Sequence, residues 1–202
     1  MEGSPTVVST ISRATGAPMS SLHEVPTTAQ RLRMSWEEYL ALPDTPKAEY
    51  ADGEVIVSPP GVFRHGQAAS ALASVFRALP GVVVAAEAGL RLSPTRMRVP
   101  DVMVVDRAPD GPWVTEPPLL AAEVLSPSTR SEDTVRKSAE YADAGVGQFW
   151  VVDPDHRTID VYRNVDGGWE PVAHLDAATP TAEVAVADRG VVRVDLDEVL
   201  PA

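Results

Sequence analysis

Two carboxylates stand in stretches of sequence that otherwise contain only apolar side chains. Glu123 interrupts the apolar run 119–125, and Asp101 begins a second run, 101–105. An ionised carboxylate inside a core costs several kcal/mol unless it is paired or binds a metal ion. Two such acids on consecutive strands therefore indicate a hard-cation site with oxygen ligands, the preference of Mg²⁺ and Mn²⁺. The alternatives are turn chemistry at Pro100-Asp101 and an outward-facing Glu123 on an edge strand.

A cation site of this kind needs a positive side chain to steady developing negative charge. Lys137 is the candidate, because it follows the strand of Glu123 and lies about two turns into a predicted helix. Tyr141 lies four residues later and shares its helical face. Simple solvation of Lys137 and core packing of Tyr141 remain the alternatives.

Glu87 is a third acid in an apolar strand, within residues 81–92. If the chain turns near 94–96, Glu87 pairs near Met103, on the same face as Asp101 by the two-residue period of a strand. An exposed strand glutamate is the other interpretation.

Local signals predict the elements that must position these residues. Ser35 and Glu38 form a capping box for a first helix, and Asp52-Gly53 predicts a hairpin turn. An apolar stripe predicts a second helix over about 64–79. The predicted strands are 81–92, 98–106, 118–126, 147–154 and 158–164, with a further hairpin over 184–196.

The third helix is the best-marked element, with a capping box at Thr129 and Glu132 and a C-terminal cap at Gly145. Helices that flank a mixed sheet predict an α/β or α+β fold, with an N-terminal helix and hairpin. We expect a flexible extension over 1–30, which is rich in Ser, Thr and Pro, and a single domain over 31–202.

Composition narrows the function classes. The net charge of −12 argues against gripping nucleic acid by bulk electrostatics. Residues 165–202 contribute −6 of it, from eight acids against two arginines, so a basic surface must lie earlier in the chain. The sequence contains no cysteine, no signal-peptide pattern and no apolar run long enough to span a bilayer. We therefore expect a cytoplasmic protein that does not bind membranes.

The candidates for the basic surface are Arg64, Arg91, Arg96, Arg98, Arg130 and Arg136. Trp113, Trp150 and Trp169 are assigned to packing.

The order of an Asp, a strand Glu and a displaced lysine resembles the PD-(D/E)xK nuclease superfamily. More closely, the chain resembles the Uma family of predicted restriction endonucleases. The matching segments cover roughly residues 34–165 in the family's order: SWEEYLALP, AEYADGEVIVSPP followed by His65, RVPDVMVV, AEVLSPSTRSEDTVRKSAEYADAGVGQFWVVDP and TIDVYR. In the strict superfamily pattern the lysine follows the acid by two positions, where this chain has Leu125.

The resemblance implies a restriction-endonuclease-like fold and a magnesium-dependent site. Asp101 and Glu123 would bind Mg²⁺, and Lys137, moved onto the following helix, would contact the scissile phosphate or the attacking water. Glu54 corresponds to the family's early acid, with a plain surface position as the alternative. His65 could contact substrate or act as a base near neutral pH, or simply cap or pack locally.

The hypothesis from sequence is a metal-dependent endonuclease that hydrolyses phosphodiester bonds in DNA. Two alternatives stay open, a weak or inactive nucleic-acid-binding module with the same fold and a hydrolase of smaller phosphate esters. Related superfamily members often pair to cut two strands, so a homodimer is a further expectation.

Overall fold

The structure, a computed structural model, describes residues 29–43, 46–126 and 132–201. Within these residues the strands form two larger sheets and a separate hairpin. Most of the predicted N-terminal extension, residues 1–28, lies outside the described residues, and the first strand begins at Gln30. None of the helices in the described part of the chain is long and apolar enough to cross a membrane.

The first sheet is antiparallel throughout and carries the predicted hairpin. Its strands are β1 (Gln30–Arg33), β2 (Ala48–Ala51), β3 (Glu54–Val57), β5 (Leu90–Ser93) and β6 (Arg96–Arg98), in the order β1-β3-β2-β6-β5. Asp52 and Gly53 both have positive φ and close the turn between β2 and β3. Helix α1 (Trp36–Leu40) begins at the capping box of Ser35 and Glu38, as predicted.

The second sheet is mixed. It contains β4 (Val83–Ala86), β7 (Val102–Val105), β8 (Leu120–Val124), β9 (Gln148–Asp153), β10 (Thr158–Val165) and β11 (Gly168–Leu175), in the order β11-β10-β9-β8-β7-β4. Only the β8–β9 pair is parallel within this sheet as described. The predicted hairpin near the C-terminus is present as β12 (Thr181–Val186) and β13 (Gly190–Asp195).

Helices cover both faces of the second sheet, which confirms the predicted fold class. Helix α2 (Phe63–Phe76) packs on one face, where Phe76 meets Trp150 edge-on with ring centroids 5.0 Å apart. On the other face a π-helical turn (Glu132–Lys137) continues into α3 (Ser138–Asp143). Gly145, at φ 78°, follows α3 as the predicted cap, whereas Thr129 of the predicted capping box lies outside the described residues. A short α4 (Leu196–Val199) follows β13.

The predicted strand over 81–92 is wrong as a single element. Its two halves, β4 and β5, belong to different sheets. Glu87 ends the first half in a left-handed conformation, at φ 50°, and the chain then crosses to the first sheet. Apolar residues continue on both sides of this bend, so the sequence pattern does not reveal the change of sheet.

Candidate active site

Asp101 and Glu123 lie side by side in the second sheet. The register that pairs Val102 with Ala122 brings Asp101, just before β7, next to Glu123 on β8. Asp101 Oδ2 also accepts a hydrogen bond from the backbone N–H of Val124, with 2.8 Å between N and O. Both carboxylates are buried, at 3% and 1% exposure. The predicted juxtaposition of two acids on neighbouring strands is therefore what the structure shows.

Lys137 and Tyr141 converge on a single oxygen of Glu123. The ammonium Nζ of Lys137 lies 3.2 Å from Glu123 Oε1, and the hydroxyl of Tyr141 donates to the same oxygen at 2.7 Å. Alternation along β8 explains this geometry, because Ala122 and Val124 pack in the α2 core while Glu123 points to the face of α3. Burial, together with the charge of Glu123, raises the pKa of Tyr141 well above its ordinary value, so this phenol stays protonated and donates.

Glu49 is a buried acid that the sequence pattern does not reveal. It lies on β2 of the first sheet, and its Oε1 is 3.0 Å from Lys137 Nζ and accepts the Val99 N–H at 2.9 Å. Burial alone would raise the pKa of Glu49, but the charges of Lys137 and Arg98 outweigh it and hold that pKa below its ordinary value. Its only sequence signal was a charge inside the short strand before the Asp52-Gly53 turn.

Asp101 has two further partners on its solvent side. Lys47 Nζ donates to Asp101 Oδ1 at 2.8 Å, and His65 Nε2 lies 3.0 Å from Oδ2. Burial opposes ionisation of Asp101, yet the hydrogen bond with His65 and the charge of Lys47 hold its pKa well below the ordinary value. The same hydrogen bond raises the pKa of His65. His65 was a predicted site residue, whereas Lys47, just before β2, was missed.

Two other acids predicted for the site, Glu54 and Glu87, do not lie where the sequence predicted. The carboxylate of Glu54 pairs with Arg31 at 3.7 Å and is partly exposed, so the structure does not bring Glu54 to Lys137. Glu54 begins β3 after the turn, whereas Glu49 lies on β2, between β3 and β6 in the first sheet. Glu87 was predicted to pair near Met103, and the structure places it two positions farther along the same strand pair, since Ala85 pairs with Met103 and Glu87 follows opposite Asp101.

Glu87 nevertheless lies beside the cluster of charged side chains formed by Glu49, Asp101, Glu123, Lys137 and Lys47. Its backbone N–H donates to the carbonyl oxygen of Asp101 at 3.3 Å, and its largely exposed carboxylate is 4.0 Å from Lys47 Nζ. The positive φ of Glu87 turns the chain away from the second sheet at this point. Glu87 is therefore a neighbour of Lys47 at the outer side of the cluster.

Arg98 is fully buried, so the expectation that it forms part of a basic surface is wrong. Its guanidinium forms a two-pronged ion pair with Glu140 on α3, with Nε–Oε2 2.6 Å and Nη2–Oε1 2.9 Å. The third nitrogen, Nη1, reaches Glu49 Oε2 at 3.1 Å. Arg98 thus links β2, β6 and α3, and it shares Glu49 with Lys137.

The other arginines predicted to form a basic surface have different surroundings: some form ion pairs, one packs on a ring and one is exposed to solvent. Arg96 and Arg136 both reach Glu140, at 3.5 and 3.4 Å. Arg91 lies over the ring of Trp36 at 5.0 Å, and Arg64 is exposed at the start of α2. Arg130 lies outside the described residues.

The donor chemistry at Asp101 and Glu123 fits a hard divalent cation. Among the described residues, no group of three or more His, Asp and Glu side chains is arranged to hold a metal ion. Mg²⁺, however, is usually bound by one or two carboxylates, with water and substrate phosphate as its other ligands. Two adjacent buried carboxylates meet that requirement.

Comparison with known proteins places this geometry in context. A family model described as "Putative restriction endonuclease" matches residues 36–191, most of the chain. A crystal structure of "a putative nuclease belonging to DUF820" from Anabaena variabilis is similar in fold, with a TM-score of 0.65. The two sequences are 22% identical over 82% of this chain and 97% of the other. The search of curated proteins gave no match.

Proposed function

Because the chain belongs to the Uma2 family, described as "Putative restriction endonuclease", we propose that it is a metal-dependent endonuclease that hydrolyses phosphodiester bonds in DNA. One observation carries this proposal, the convergence of Asp101, Glu123 and Lys137 from three separate elements. A lysine buried between carboxylates is costly to maintain for stability alone, because apolar residues of similar volume are often as stable. Clusters of this kind are typical of functional sites.

Asp101 and Glu123 are the side chains that would hold Mg²⁺ or Mn²⁺. When bound, such a cation supplies charge stabilisation at phosphate oxygens and makes water more acidic. Lys137 would donate to a phosphate oxygen as negative charge develops on the pentavalent phosphorus centre. Tyr141 keeps Glu123 oriented through its hydroxyl. In hydrolysis the oxygen of a water molecule bonds to phosphorus as the P–O3′ bond breaks, and one proton of that water ends on O3′, which leaves a 5′-phosphate and a 3′-hydroxyl.

The direct test is a cleavage assay on single-stranded, duplex and branched DNA with Mg²⁺, Mn²⁺ or EDTA. We expect the wild type to cleave at least one substrate with a divalent cation, and Asp101→Asn and Glu123→Gln to lose that cleavage. Glu170→Gln is the matched control. It removes the same negative charge, but from a surface pair with Arg163. If the wild type binds DNA tightly yet cuts none of these substrates, the nuclease proposal is wrong and the protein is a nucleic-acid-binding module.

A further inference from the structure

Lys47 is the more accessible of the two lysines at the cluster. Its side chain is 24% exposed, compared with 5% for Lys137, which lies between Glu49 and Glu123. Lys47 reaches the same acid pair from the solvent side, through Asp101 Oδ1 at 2.8 Å. An incoming anion therefore meets Lys47 before it meets Lys137.

Lys47 is also the partner of Asp101 that can leave most easily. The Val124 N–H is fixed by β8, and His65 is fixed by its position in the first turn of α2. Lys47 by contrast is joined to the chain by a flexible four-carbon stem. Glu87, 4.0 Å away and largely exposed, offers its ammonium a second partner.

A divalent cation at Asp101 must compete with this lysine. Both are cations that seek the same carboxylate oxygen, and close like charges repel. The displaced ammonium can stay near the site, because a substrate phosphate that arrives there brings negative charge. An ammonium with three rotatable donors can accept that new partner.

We propose that Lys47 is a counter-ion that neutralises Asp101 in the metal-free protein, leaves it when a divalent cation binds, and then donates to a phosphate oxygen of the substrate. This inference rests on the proposed function and adds a substrate-contacting cation to it. It assigns separate positions to the two lysines, with Lys137 within the acids and Lys47 at their outer edge.

The first test measures Mn²⁺ binding by isothermal titration calorimetry, without nucleic acid. A charge-assisted hydrogen bond must break before the cation binds, so Lys47→Met should bind Mn²⁺ on the order of tenfold more tightly than the wild type. Arg163→Met, which removes one exposed positive charge, should leave the affinity unchanged. Circular dichroism checks folding, and Lys47→Gln, which keeps a donor but not the charge, replaces Lys47→Met if that variant does not fold.

The second test measures KM and kcat on the DNA that the wild type cleaves. Loss of a phosphate contact should raise the KM of Lys47→Met roughly tenfold, while Arg163→Met keeps the wild-type value. Unchanged Mn²⁺ affinity and unchanged KM in Lys47→Met, with an active wild type, would overturn the inference alone. Tighter Mn²⁺ binding in Lys47→Met with no cleavage by any variant would overturn the proposed nuclease and support the exchange at Asp101. A wild type that takes up no Mn²⁺ would overturn the exchange.

Discussion

Lys137 bridges two buried acids at the centre of the cluster. Its ammonium lies 3.0 Å from Glu49 Oε1 and 3.2 Å from Glu123 Oε1. Removing one partner of a buried ion pair is more harmful than replacing the whole pair, because a charge is left without compensation. A substitution at Lys137 therefore acts on stability as well as on catalysis, and the two effects must be measured separately.

Lys137→Met should lower the cleavage rate by ~30- to 1000-fold, the range expected when a charge-stabilising donor is lost. Methionine is also a good helix former, so the helix itself should survive. The metal-free variant should melt at a lower temperature than the wild type, and Mn²⁺ should restore part of the loss. Single-turnover kinetics gives the cleavage rate, and calorimetry gives the melting temperature. A variant that cleaves at the wild-type rate would remove Lys137 from the mechanism.

Metal linkage gives a second prediction for the acids. Mn²⁺ that binds only the folded state should stabilise it by about 2.7 kcal/mol at 100 times the dissociation constant. The melting temperature of the wild type should therefore rise with Mn²⁺ concentration, and Asp101→Asn or Glu123→Gln should abolish the rise. Glu170→Gln should behave as the wild type. No change in the wild type across millimolar Mn²⁺ would count against a metal site at these residues.

His65 predicts a pH dependence of stability in the metal-free protein. Its hydrogen bond with Asp101 raises the pKa of His65, so the folded state favours the protonated imidazole. The stabilisation is fully present below about pH 6.5, the ordinary value, and is lost as the pH rises through the higher folded-state pKa. Urea unfolding of the wild type in EDTA should show this decline, and His65→Asn should lack it. Parallel pH profiles for the two proteins would show that the pair adds no stability.

At the scale of elements, the sequence was sufficient to predict a helix cap or a turn wherever its signal lies in neighbouring residues. The capping box of Ser35, the Asp52-Gly53 turn and the Gly145 cap are each made by residues a few positions apart, and all three are present. The shared face of Lys137 and Tyr141 was predictable for the same reason. Burial of Glu123 followed from its uniformly apolar neighbours.

The remaining features depend on contacts between distant segments. Glu49 approaches Lys137 only because β2, in the first sheet, meets the π-helical turn that ends at Lys137, and nothing near residue 49 encodes that approach. The π-helical turn that ends at Lys137 arises in a segment whose helical signals also suit an ordinary α-helix. The change of sheet at Glu87 likewise has no local apolar signature. These long-range relations decide which acids meet, so the site was predicted only in part.

The buried Arg98–Glu140 pair joins β6 to α3 and gives a prediction for stability. Arg98→Met removes the cation that Glu49 and Glu140 share. Because other cations still contact both acids, it should destabilise the protein by about 3 kcal/mol, the low end of the loss for a broken buried pair. Arg163→Met breaks an exposed pair with Glu170 and should cost at most about 1 kcal/mol. Urea denaturation compares the two variants with the wild type. Equal, small losses would show that the buried network contributes little to folding.

At the scale of the whole molecule, the charge opposes the proposed substrate. The chain carries −12 overall, and at the site the acids Glu49, Asp101 and Glu123 are already paired with Lys137 and Lys47. The arginines that were expected to form a basic surface are partly committed elsewhere, since Arg98 is buried and Arg96 pairs with Asp52. Because the lysines at the site already balance its acids, a bound divalent cation would supply the additional positive charge that a DNA phosphate needs there.

DNA affinity should accordingly depend on divalent metal more strongly than on the surface arginines. Lys137→Met is the suitable protein for this measurement, because it should bind without rapid cleavage. Fluorescence anisotropy with a labelled oligonucleotide should show binding at least about tenfold tighter in Mn²⁺ than in EDTA at equal ionic strength. Adding Asp101→Asn to Lys137→Met should remove the difference, because the cation then lacks one of its two carboxylates. Equal affinity in Mn²⁺ and EDTA would mean that DNA is held on a surface away from the acids, and the cluster would then have no part in substrate binding.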